Sequence, residues 1–196
     1  YGWDSMGTVE VGSSMGSHQH GYALNSMMAK IGNDTDIVII IDADTAILYK
    51  DWDCVVVNKL RKLDVWGWEP SRIMHRGALG APSVFFLAIH RRAGAGWNFM
   101  PKLNGDKCAR LPITNKADKE LYGFGQIKCD TGYLIAETCR KRKYSYGSIP
   151  FVQHNWTMAL LPSANIAKHH KLHQGEWHYN GKLFGTHKQA CRSHHI

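Results

Sequence analysis

The chain has 196 residues, 44% of them apolar, and a formal net charge of +8. That length and composition support one packed globular domain. No apolar run approaches the roughly 18 residues that a membrane span needs, and no charged-then-apolar leader opens the chain, so a cytoplasmic protein is expected. The five cysteines (Cys54, Cys108, Cys129, Cys139 and Cys191) are odd in number and none are in Cys-x-x-Cys spacing. This argues against a disulfide framework or a zinc finger and favours a reducing compartment.

In chain order, "TVEVG" (Thr8–Gly12) reads as a short strand by its β-branched alternation. A Gly/Ser turn follows, and Ser17 is placed to cap a helix running to about Ile31. Leu24, Met27, Met28 and Ile31 form one apolar stripe at i, i+3, i+4, i+7. Ile37–Ile41 is a continuous apolar run, the signature of a strand buried on both faces. "KDWDCVVVNKLRKL" predicts a second helix whose inner face is Trp52, Val55, Val56, Leu60 and Leu63. "DVWGWE" and "PSVFFLAIHR" (Pro82–Arg91) read as strands, and the Gly/Pro/Asn-rich segment after Arg91 as a long loop. "DTGYLIAETCRKRK" predicts a third helix capped by Asp130 or Thr131, with cations in its last turn. "SIPFVQ" is a late strand, and beyond Pro162 the pattern is weak. Strands alternating with helices predict an α/β fold, an αβα sandwich with a mainly parallel central sheet.

The apolar run ends in "DAD", two carboxylates one residue apart at a strand end, where ligands bind in such sheets. Asp42 and Asp44 are suited to hold a hard divalent cation through oxygen, and through it a diphosphate. A solvated loop is the plain reading of Asp-x-Asp alone; its position after a buried strand favours a site.

The segment "MGSHQHGYALNSMMAKIGNDTDIVIIIDADTAILYKDW" resembles the central part of GT-A glycosyltransferases, especially the family-2-like branch. Gly16, Gly21, Ala23 and Asn25 match its Gly-rich turn and Ala-x-Asn helix. Asp42, Ala43 and Asp44 match the metal motif, and Asp51–Trp52 the following helix start. The resemblance implies a single GT-A-like domain over 1–196. Residues 1–70 would be its donor and metal half, 71–160 its acceptor side, and 161–196 a basic, His-rich tail. It implies a nucleotide-diphosphate sugar held near Gly16, Gly21, Asn25, Asp42, Asp44 and Lys188, with Mn²⁺ or Mg²⁺ on Asp42 and Asp44. It also implies a catalytic base at Asp130, which favours inversion, and a late histidine ligand. For that ligand "FGTH" favours His187, with His154 and His178 ("HYNGK", similar to a family-8-type ending) as alternatives. Such domains normally open with a strand, helix and strand that hold the nucleotide base; only "TVEVG" precedes the Gly turn here, so the first strand and its base-binding acid are missing from the pattern, which implies a truncated N-terminal part. Trp66, Trp68, Trp97, Phe99 and Trp156 are candidates to shape a sugar pocket, against the commoner role of core aromatics.

The charge is uneven. From Arg140 onward there are nine Lys/Arg and one acid, and eight of the twelve histidines follow residue 150. A solvated face is the plain explanation, and a phosphate-binding surface the sharper one. Together with the resemblance it keeps three acceptors open: a glycan, a protein, or a hydroxymethylated DNA base as in phage-type enzymes. Two other classes compete. A nucleotidyltransferase of related fold would want a basic Gly-rich loop, and "VGSSMGSHQHG" has no Lys or Arg. A non-enzymatic metal- or nucleic-acid-binding module would use His169, His170 and His173 on a helix, and would leave "IVIIIDADT" unexplained.

Overall fold

A computed structural model describes residues 16–32, 34–43, 45–70, 80–94, 96–105, 107–122, 126–153 and 172–190. "TVEVG", Asp44, His154, Trp156, His169, His170 and Cys191 therefore lie outside the described residues.

Helix α1 spans Gly16–Met28, β1 Ile37–Ile41, β2 Thr45–Ile47, α2 Trp52–Leu60, β3 Val65–Trp68 and β4 Phe86–His90. Two short ribbons follow, β5 (Leu103–Asn104) with β6 (Lys107–Cys108), and β7 (Arg110–Pro112) with β8 (Gln126–Lys128), with α3 (Lys116–Tyr122) between β7 and β8. The segment expected to be a long loop thus carries short paired strands. Then come α4 (Ile135–Arg142), β9 (Tyr146–Ile149), β10 (Phe151–Gln153), β11 (Leu172–Tyr179) and β12 (Lys182–Ala190).

The main sheet has the order β1-β4-β3-β9, and a second sheet the order β10-β11-β12-β2. β1 with β4 and β4 with β3 are antiparallel; only β3 with β9 is parallel. Every pair in the second sheet is antiparallel. This corrects the expected αβα sandwich with a mainly parallel sheet: the described fold is mixed and mostly antiparallel. The parallel expectation assumed that each helix returns the chain to the same sheet. Here α2 carries it from β2 in one sheet to β3 in the other, and β4 folds straight back along β3.

Both faces of the main sheet are covered, as the apolar runs require. Val65, Leu87, Ile89 and Ile40 pack with Leu24 of α1 and Ile135 and Cys139 of α4. Trp66, Trp68, Phe86 and Ala88 point the other way, onto Val56 and Leu60 of α2 and Trp177 and Phe184 of the second sheet. The predicted inner face of α2 is the observed one, Trp52, Val55 and Leu63 included. The period-2 alternation of a strand sends neighbouring side chains into different cores. β1 is nonetheless an edge strand of its sheet among the described residues, and Ile41 at its end is 42% exposed.

Two caps differ from expectation. α1 begins at Gly16, so Ser17 lies inside its first turn. α4 begins at Ile135, so neither Asp130 nor Thr131 caps it; they lead into a turn that contains Gly132 at φ 75°.

Candidate functional site

β1 delivers Asp42 to the end of the main sheet, where the chain changes sheets. The Asp42 N–H donates to the Phe85 carbonyl (3.1 Å), and the Thr45 N–H donates back to the Asp42 carbonyl (3.0 Å). The Thr45 hydroxyl donates to the same Phe85 carbonyl (3.3 Å). This turn hands the chain to β2, which pairs with β12 so that Thr45 faces His187. His187 Nε2 thereby lies 3.8 Å from Asp42 Oδ2, with its side chain only 8% exposed. The Phe85 ring packs on the imidazole, 4.3 Å between centroids.

A second imidazole arrives from α1: His20 Nε2 is 3.2 Å from Asp42 Oδ1. α1 is held in place by residues that the sequence suggested for donor binding. A Cβ on Gly21 would lie 2.8 Å from the Phe99 carbonyl oxygen and 3.0 Å from Met100 Cα, so only glycine allows this approach. Asn25 accepts from the Phe99 N–H (2.9 Å) and donates to Asn98 (3.3 Å). Gly21 and Asn25 thus anchor the helix that presents His20, while Gly16 opens that helix, where a Cβ would meet nothing within 4 Å among the described residues.

Burial pushes the Asp42 carboxyl up, but hydrogen bonding to His187 and His20 outweighs it and leaves the group below the usual carboxylate range. The arrangement is one largely buried carboxylate with an imidazole on each oxygen. Among the described residues, no three His, Cys, Asp or Glu side chains converge as a metal-ligand group; Asp44, the motif's second carboxylate, is not one of them.

Asp130 joins the same region through α1. The Thr131 hydroxyl donates to the Ser17 carbonyl (2.8 Å), and Ser17 lies one helical turn before His20. Asp130 receives the Lys128 ammonium at 2.6 Å and the Thr131 N–H at 2.9 Å. Burial raises its pKa, yet Lys128, Ser17 and the Thr131 N–H together hold it far below the usual range. Burial and the Asp130 charge push the nearby Cys108 thiol up.

A carboxyl depressed in the fold contributes stability that is complete above its unfolded pKa near 3.8 and is lost as the pH falls towards the folded value. Asp130→Asn is therefore expected to flatten the decline in melting temperature below about pH 4. A pH series on both proteins measures this, and parallel curves would deny the Lys128 pair any share in stability.

The other candidates fall elsewhere. His178 pairs with Glu176 (3.1 Å) and faces Leu183 across the hairpin, four residues along β12 from His187. Lys188 follows His187 on β12, opposite Gln174. His173 lies on strand β11, not on a helix as a zinc-chelating triplet required. Trp66, Trp68, Trp97 and Phe99 are core residues, each at most 7% exposed. Cys54, Cys108, Cys129 and Cys139 are free thiols, and no helix among the described residues is long and apolar enough to cross a membrane.

His20 and Lys128 escaped sequence reasoning. Lys128-x-Asp130 was accessible, since residues two apart share a face of an extended chain. Nothing in the spacing of "HQHG" tied His20 to a carboxylate 22 positions later. Comparison of the chain with protein-family models, curated proteins and solved structures found no match.

Proposed function

We propose that the protein transfers a sugar from a nucleotide-diphosphate sugar to an acceptor hydroxyl, with Mn²⁺ or Mg²⁺ held by Asp42, Asp44 and His187. One observation carries this reading: the late histidine favoured by the family resemblance lies against the first carboxylate of the Asp-x-Asp motif, 3.8 Å away and buried. The donor set fits a divalent cation, because a carboxylate and an imidazole suit hard-to-borderline metals. A cation bound there supplies charge to stabilise the departing nucleoside diphosphate.

The residues of the chain have distinct tasks in this reading. Asp42 offers a carboxylate that stays ionised, and the Phe85 ring holds the His187 imidazole towards it. In the transfer, the bond between the anomeric carbon and the phosphate oxygen breaks and its electron pair leaves with the diphosphate. The acceptor oxygen bonds to that carbon and gives up its proton. Asp130 is the candidate proton acceptor, and its tight Lys128 pair makes it a weak base as it stands. The acceptor is a glycan or a hydroxymethylated DNA base.

The test is thermal unfolding with a panel of nucleotide sugars, with Mn²⁺ or with EDTA, since a ligand of the native state raises the midpoint. One donor is expected to raise the midpoint only with Mn²⁺. His187→Ala is expected to weaken that response about tenfold or more in metal concentration, the scale of losing a residue that orients or ligates a metal. His178→Ala is expected to leave it unchanged. Equal loss in both variants, or no response to any donor, would overturn the reading.

A further inference from the structure

Basic residues converge at the other end of the main sheet, where β3 and β9 begin and β4 ends. Arg61 and Lys62 follow α2, Arg91 and Arg92 follow β4, and Arg140, Lys141, Arg142 and Lys143 close α4; all eight are exposed. The three segments are tied together. Arg92 donates to the carbonyls of Leu60 (2.9 Å) and Leu63 (3.0 Å) and to Asp64 (3.1 Å). Asp64 in turn accepts from the Ser145 N–H (2.9 Å) and hydroxyl (2.8 Å), just past the end of α4. Arg142 donates to the Gly96 carbonyl (3.4 Å), beyond the turn that carries Arg91 and Arg92.

The acids in this region are already engaged: Asp36 with Arg91, Asp64 with Arg92, and Glu137 with Lys141. Arg61, Lys62 and Lys143 have no ion-pair partner among the described residues. Cations in the last turn of a helix complement its dipole, which accounts for each helix end by itself. It does not account for bringing two such ends and the Arg91–Arg92 turn onto one face.

We propose that this face binds the phosphodiester backbone of a nucleic acid, without reading its sequence. Five of the eight cations are arginine, whose planar fork matches phosphate oxygens. Among the described residues, the exposed large apolar side chains, Tyr22, Ile41, Leu48 and Val152, all lie on other elements, so the described part of the face lacks the apolar component of an interfacial membrane patch. β1 separates it from Asp42 by about 17 Å. The proposal therefore stands apart from sugar transfer and is tested without donor or metal.

The experiment is fluorescence anisotropy of a short labelled DNA duplex with the full chain in EDTA. Affinity is expected to fall linearly in log–log form between about 50 and about 200 mM salt, as phosphate contacts require. The triple variant Arg61→Gln, Lys62→Gln, Lys143→Asn neutralises exposed side chains, with Asn chosen for the left-handed backbone at Lys143 (φ 58°). It is expected to bind about tenfold or more weakly and to flatten the salt slope by two to three units, roughly one per lost contact. A control, Lys30→Gln, Lys50→Gln, Lys107→Gln, lowers the net charge equally and is expected to change affinity less than about threefold. Circular dichroism and melting check that both variants fold. Equal weakening in the two variants, no binding by the wild type, or binding to phosphatidylserine vesicles but not to DNA would each overturn the proposal.

Discussion

On the proposed reading, Asp42→Asn is expected to abolish a Mn²⁺-dependent rise in melting temperature and to lower sugar transfer by about a thousandfold, the scale of losing a charge-stabilising group in a dry site. Asn keeps the shape of the side chain and can still accept from one imidazole, so the change removes charge with little change in volume. The metal-free protein should tolerate it. Burial opposes ionisation of Asp42, and that opposition disappears with the charge, which offsets part of the loss of the hydrogen bonds to His187 and His20. The expected signature is a metal-free melting temperature within a few degrees of wild type together with a flat Mn²⁺ titration. Unfolding at room temperature would make Asp42 a structural residue. A persistent Mn²⁺ response would move the metal away from β1. Calorimetric titration of Mn²⁺ into both proteins separates these outcomes without relying on activity.

Elements set by a local pattern were legible in the sequence. The α2 stripe and the β1 run both occur where the residue pattern put them, although β1 is only partly buried, because burial on a helix or strand leaves an imprint on residue order. Strand partners leave no such imprint. Nothing local told β4 to pair with β1 and β3 in antiparallel fashion, and the alternation of elements suggested the reverse. One missed feature did carry a signal. β11 and β12 are joined at Asn180–Gly181, with φ of 50° and 73°, and Asn-Gly between two runs is the strongest short-range hairpin cue. That hairpin brings His187 to Asp42, so the site depended on a turn that was readable and a pairing with β2 that was not. His20 needed both the seat of α1 on residues 98–101 and the end of β1, two long-range contacts that no spacing within the chain encodes.

Gly185→Ala tests whether that pairing positions the site. Gly185 lies on β12 opposite Ile47, two residues before His187. A Cβ there would lie 2.5 Å from Cη2 and Cζ2 of Trp68 and 2.6 Å from the Ala46 carbonyl oxygen. Trp68 cannot give way: it is fully buried and stacked on Trp177 at 4.2 Å. Ala46 belongs to β2, so relief requires β12 to move off the strand that aligns His187 with Asp42. Overpacking of this kind costs about 2–3 kcal/mol, and a chain of this size then melts about 5–10 °C lower. The Mn²⁺ response should weaken by more than the stability loss explains, because His187 moves with its strand. Leu60→Ala, at the far end of α2 and fully buried, supplies the comparison: a cavity worth about 2–4 kcal/mol with β12 in place. If both variants melt early but only Gly185→Ala loses its Mn²⁺ shift, the seat of β12 on β2 is what builds the site. If both keep the shift, the imidazole reaches Asp42 by some route other than strand register.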